Sequence, residues 1–196
     1  MGFFDQRPEP PPPPPEARRP AWARPETVLP GAVPDTVILA RTDDLVLTFG
    51  DLRAYPNGFQ FVVTAFTREP LRHRSAFGSS GFLRRFGPGP VPEDFLRFGL
   101  RFADGTVLTN LDPGPSGEDD AGPRLLPEGG HGGLHRYEQS YWVWPLPPAG
   151  RLEVVCEWPA RGIAETTAEL DAGLVLDAAR RATALFQDQA DTDGTA

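Results

Sequence analysis

Three groups of side chains in this chain have the types and spacing to do chemistry: a lone thiol, a pair of histidines, and arginines threaded with phenylalanines. Cys156 is the only cysteine, so no intrachain disulfide can form. A nucleophilic thiol needs an accessible, electropositive position beside a base. Cys156 instead shares its parity with Leu152, Val154 and Trp158, which puts it on the inward side of a strand as a small core hydrophobe. Gly78-Ser79-Ser80-Gly81 has the wrong spacing for a nucleophile elbow and lacks the strand-to-helix setting.

The histidines stand at His131 and His135, separated by Gly132-Gly133-Leu134 and close to an acidic stretch. A four-residue spacing shares one face on a helix or on a strand. No third and fourth ligand follows at a recognised spacing. The expectation is therefore a glycine-rich loop with no metal and no cofactor. A small metal-dependent hydrolase using His131 and His135 is the alternative. Asp43-Asp44 and Asp119-Asp120 are adjacent acids in turn-like sequence, where Asp is common. A chain without lysine cannot form a Walker phosphate loop.

The arginine group is the most unusual. Arg68, Arg72, His73, Arg74, Arg84 and Arg85 lie between positions 68 and 86. Five arginines less one acid, Glu69, leave a local charge of +4 inside a chain of net charge −8. Phe77, Phe82 and Phe86 are interleaved with Gly78 and Gly81. Arginine and aromatic residues are enriched at the centres of protein interfaces. The binding residues expected are Arg68, Arg72, Arg74, Phe77, Phe82, Arg84 and Arg85, and the partner expected is an acidic protein surface. The other reading is a crossover whose phenylalanines cap the core and whose arginines pair with the acidic loop. A net negative chain opposes approach to a phosphate backbone, so nucleic acid is not the expected partner.

The elements that would position these groups are mostly strands. Leu45, Leu47 and Phe49 alternate, as do Phe59, Phe61, Val63 and Ala65 after the Asn57-Gly58 turn signal. Leu96, Phe98, Leu100 and Phe102 alternate with Arg97, Gly99 and Arg101 before Asp104-Gly105, a strong hairpin signal. Tyr141, Trp142, Val143 and Trp144 place bulk on both faces of one strand, either as core or as an aromatic platform. Arg151, Glu153 and Glu157 face outward from the next strand, and 163–170 is ambiguous, with another edge strand as one reading. Asp171 is suited to cap a helix whose apolar face would carry Leu174, Ala178, Ala182, Leu185 and Phe186. No βαβ alternation is present, which argues against a parallel nucleotide-binding sheet. The fold class expected is mainly β: an antiparallel β-sandwich with a C-terminal α-helix.

With 24 Pro and 21 Gly, much of the remainder must be turn or extended. Residues 1–34 read as a disordered proline-rich arm, 35–187 as one β-rich domain, and 188–196 as a disordered acidic tail. The acidic stretch near 114–130 reads as a mobile loop. Within the arm, Trp22 is the residue suited to dock on the domain, and the run from Arg7 to Pro13 fits a polyproline-binding pattern as well as a spacer. The N-terminus lacks the basic start and apolar run of a secretory signal, and no apolar stretch approaches the ~20 residues of a membrane span. A cytoplasmic protein with no membrane association is expected.

The segment Cys156-Glu157-Trp158-Pro159-Ala160-Arg161-Gly162-Ile163, followed by an alanine-rich terminal helix, resembles a family of actinobacterial proteins of unknown function. The resemblance implies a GC-rich bacterial source, which the arginine-only basic residues also fit, and it brings no activity or site residue. The function expected is that of a non-enzymatic protein-interaction or binding module.

Overall fold

The computed structural model describes residues 19–70, 90–112 and 122–186. Twelve strands run in chain order: β1 (Val28–Leu29), β2 (Gly31–Ala32), β3 (Val37–Arg41), β4 (Leu45–Ala54), β5 (Phe59–Thr67), β6 (Arg97–Arg101), β7 (Val107–Thr109), β8 (Arg124–Gly132), β9 (Arg136–Trp144), β10 (Arg151–Trp158), β11 (Ile163–Asp171) and β12 (Thr183–Ala184). Helix α1 (Ala172–Arg180) lies between the last two. All pairings are antiparallel. One sheet has the order β2-β4-β5-β9-β8 with β3 also on β4, the other β11-β10-β6-β7, and β1 with β12 forms a small ribbon.

The two large sheets meet through the alternating residues read from the sequence. Phe49, Phe59, Phe61, Val63 and Tyr141 come from the first sheet, and Phe98, Leu100, Leu152, Val154 and Trp158 from the second. Phe98 bridges the layers edge-on, with its ring centroid 5.8 Å from Phe61 and 4.7 Å from Tyr141. This is the expected antiparallel β-sandwich. The turn signals hold as well: Tyr55 N–H bonds Gly58 O at 2.8 Å between β4 and β5. Gly105 takes φ 88° between β6 and β7, a conformation open to glycine without steric cost. Asp104 Oδ1 accepts from Thr106 N–H at 2.9 Å, which holds the Asp104 carboxyl below its ordinary range.

Three details depart from the expectation, and one open reading, the edge strand at 163–170, holds. Residues 19–34 are not an arm: β1 pairs with β12 and β2 with β4, while residues 1–18 lie outside the described residues. Residues 124–130, expected in a mobile loop, form much of β8, which is hydrogen-bonded to β9 along its length. The ambiguous segment 163–170 is strand β11, paired with β10. The helix, capped as expected by Asp171 (Gly173 N–H to Oδ1, 2.8 Å), ends at Arg180.

The helix stops because Leu185 N–H bonds Thr27 O at 2.8 Å and Thr183–Ala184 pairs with Val28–Leu29. Strand pairing thus claims the residues that would have continued it. Its buried face is Ala172, Val175 and Ala178, whereas Leu174 is 41% and Phe186 72% exposed. Of the expected Leu/Ala face, Ala178 is at the contact, whereas Leu174, Leu185 and Phe186 are exposed. A small-residue face is needed because Gly31 of β2 lies directly against Ala178: a Cβ on Gly31 would sit 1.9 Å from Ala178 O.

Candidate functional site

Of the seven residues expected to bind a partner, only Arg68 is described. Arg68 is exposed, with Nε donating to Asp43 O at 3.3 Å and lying 4.0 Å from Asp44 Oδ1. Arg72, Arg74, Phe77, Phe82, Arg84 and Arg85 lie outside the described residues, as does Gly78-Ser79-Ser80-Gly81. His131 Nε2 lies 2.8 Å from Glu138 Oε2, which Arg136 also contacts. His135 Nδ1 is 3.1 Å from Thr67 O. Among the described residues, no three His, Cys, Asp or Glu side chains are grouped to hold a metal. Cys156 is buried in the core at 1% exposure, and burial pushes its thiol up to about 11, the direction opposite to that of an activated nucleophile.

The described surface carries a different feature, on the outer face of the second sheet. Three rows of side chains cross β7, β6, β10 and β11. The middle row is small: Thr109 pairs with Gly99, Gly99 with Val155, and Val155 with Thr167. Gly99 contributes no side chain, and the packing forbids one, since a Cβ there would lie 2.7 Å from Leu108 O. The rows on either side are long. Arg97 reaches Glu157 at 2.9 Å on one side. Arg101 reaches Glu153 at 2.9 Å on the other, and Arg151 joins Glu153 at 2.8 Å and Glu169 at 2.9 Å.

A low row between two high rows makes a furrow of roughly 280 Å³ across the strands. Val107 and Leu111 line one end and Glu157 and Glu165 the other. Arg97 is further fixed by Nη2 donating to Val91 O at 3.1 Å. Glu165 makes no ion pair among the described residues. The furrow is thus apolar at the β7 end, lined by paired arginines at its middle, and acidic at the β11 end. It offers van der Waals floor and fixed charge, which suits recognition. The thiol of Cys156 belongs to the core cluster of the same sheet.

The outward parity of Arg97, Gly99 and Arg101, and of Arg151, Glu153 and Glu157, is legible in the sequence. Their adjacency is not: β6 and β10 pair across about fifty residues of intervening chain. The aromatic strand β9 is covered on both sides. Tyr141 and Val143 enter the core. On the opposite face Trp142 is also buried, its Nε1 donating to Trp22 O at 2.7 Å. Trp22 docks as the sequence suggested, and no open aromatic platform is formed by Trp142.

No helix among the described residues is long and apolar enough to cross a membrane. Comparison of the chain with protein-family models, curated proteins and solved structures finds no match to any of them.

Proposed function

We propose that this protein is a non-enzymatic binding module whose furrow across β7, β6, β10 and β11 receives an extended segment of a partner protein. The observation that carries the reading is the row Thr109–Gly99–Val155–Thr167, sunk between two rows of ion-paired Arg and Glu side chains. The partner segment presents an apolar side chain to Val107 and Leu111 and a basic one to Glu165. Charge favours this orientation: Glu165 is the carboxylate on this face without an ion pair among the described residues, and the net charge of −8 draws cationic partners. Three strand spacings of ~4.8 Å make the furrow about 14 Å long, which an extended chain spans in about four residues. The Arg68-to-Arg85 surface, with its acidic partner, is a separate proposal on which the furrow does not depend.

Panning a displayed random-peptide library against the immobilised full chain tests the reading. Selected peptides should place Arg or Lys about four residues from an apolar residue, the span given by the strand spacing. They should lose at least about tenfold in affinity, about 1.4 kcal/mol, against Glu165→Arg. Val155→Arg, which fills the furrow from its floor, should abolish binding. Failure to select any peptide, or equal affinity for wild type and both variants, would end the proposal.

A further inference from the structure

By the other sheet, three hydrogen-bond donors are buried at one place with nothing among the described residues to accept from them. Arg124 opens β8 and is 5% exposed. Its guanidinium carbon lies 4.7 Å from the centre of the Trp22 ring, and Nε donates weakly to Gly122 O at 3.3 Å. Both terminal nitrogens of Arg124 and the indole nitrogen of Trp22 are buried without a partner among the described residues. The carboxylates close by are already engaged: Glu128 with Arg24 (3.2 Å) and Gln60 (2.8 Å), and Glu26 with Arg19. Buried polar groups are almost always satisfied, and a guanidinium cannot escape its charge by losing a proton. A water would satisfy one or two donors and leave the charge uncompensated. What all three atoms and the charge require together is an acceptor with negative charge.

We infer that Arg124 and Trp22 form a binding site for a small oxyanion, a carboxylate or a phosphate, held between the guanidinium and the indole N–H. The backbone that carries Trp22 is already fixed. Trp142 Nε1 donates to Trp22 O at 2.7 Å, and Asn57 Nδ2 donates to Ala21 O and Ala23 O, each at 2.9 Å. The Trp22 ring is thus the part free to adjust as an anion enters. A cavity of roughly 480 Å³ beside it, lined by Trp22, Arg19, Arg24, Glu26, Glu128 and Trp142, gives the path, and each of its two carboxylates is paired with one of its arginines. Planar guanidinium forks match carboxylate and phosphate oxygens in a bidentate fashion, and stacking on an aromatic ring pre-orients the fork. The site is remote in sequence and sheet from the furrow, and neither proposal depends on the other.

The test is thermal melting of the full chain in Tris chloride, titrated separately with inorganic phosphate and with acetate against sodium chloride of equal ionic strength. Wild type should show a saturable rise in Tm with phosphate, acetate or both, and the stronger of the two identifies the source of the oxyanion. Arg124→Met should show no such rise. In Tris chloride without phosphate or acetate it should melt no lower than wild type, because it removes an uncompensated buried charge and keeps the apolar stem. Trp22→Phe keeps the ring and removes the N–H, so it should weaken the response about tenfold, the scale of one hydrogen bond to a charged acceptor. A wild-type Tm indifferent to both anions overturns the inference, as does an equal rise in Arg124→Met. If Arg124→Met does not fold, the decision rests on Trp22→Phe, whose unchanged affinity would overturn it.

Discussion

Gly31→Ala separates a folded residue 19–34 segment from a disordered one. In the structure the added Cβ would lie 1.9 Å from Ala178 O, 2.6 Å from its carbonyl carbon and 3.0 Å from its Cα. Ordinary contact begins near 3.4 Å, so α1 and β2 must part by about 1.5 Å. The obstacle is backbone in the last turn of α1, which has no rotamer to change. The helix is also tied to β2 by Arg181, whose Nη2 donates to Ala32 O at 2.8 Å. Overpacking of this kind costs about 1–3 kcal/mol, and an immovable obstacle puts the cost near 3. Replacing glycine in a strand returns about 0.5–1 kcal/mol of backbone entropy. The net loss is about 2–2.5 kcal/mol, or about 4–10 °C in Tm for a chain of this length. Urea and thermal melts of Gly31→Ala beside Gly129→Ala, where nothing lies within 4 Å of the added Cβ, provide the assay. A Gly31→Ala change within about 0.5 kcal/mol, the scale of a surface substitution, would refute the docking of β2 under α1.

Asn110→Ala should destabilise the fold by about 1–3 kcal/mol in urea melts. Asn110 Oδ1 accepts from Phe98 N–H at 2.9 Å and its Nδ2 donates to Leu96 O at 2.7 Å, holding the start of β6 on the side where the β7 pairing does not reach. Stability should fall as pH rises from about 9 toward 11. Cys156 is pushed up to about 11 by burial, and Tyr141 is pushed up chiefly by burial, against a hydrogen bond from Asn110. A group whose folded pKa is raised contributes stability that is intact below its unfolded pKa and lost as pH climbs through the folded value. Urea midpoints of Cys156→Ala should therefore fall less steeply across that range than those of wild type, and parallel curves would count against the buried thiol.

Parity made the core legible and distance hid the sites. Phe59, Phe61, Val63 and Ala65, or Leu152, Val154 and Cys156, announce their inward face because a strand alternates with period two. Asn57-Gly58 and Asp104-Gly105 announce hairpins for local steric reasons. By contrast, β6 meets β10, and Trp22 meets Arg124, across long stretches of chain, and nothing local specifies such pairings. Composition misled in residues 19–34. Proline there does not prevent ordering, because Gly31 and Ala32 need only two residues of strand to pair with Ala54 and Arg53, and Trp22 brings enough apolar surface to dock. The helix was misread at its end because the three-and-four spacing of apolar residues runs on through Ala182, Leu185 and Phe186. The tertiary contact at Gly31 selected the alanine face instead, an instance of packing overriding intrinsic preference.

The charged rows that border the furrow are hard to explain as devices for stability. Arg97, Arg101 and Arg151 are partly or largely exposed on their side chains, and exposed ion pairs contribute only about 0–1 kcal/mol each. A sheet face that served only to meet water would need no such lattice, because scattered polar residues solvate it equally well. What the pairing does achieve is order. Glu153, buried to 8% exposure, is held by two arginines and in turn fixes both, and Arg97 is gripped by a carboxylate and a carbonyl at once. Long side chains that would otherwise sweep over Gly99 and Val155 are tied back at the walls, so the floor stays open. Pre-ordered walls lower the entropy lost when a partner binds. The same ties neutralise charge within each row, which keeps the walls from attracting neighbours indiscriminately. The lattice therefore fits a surface kept open and selective, with Glu165 as the charge left available to a partner.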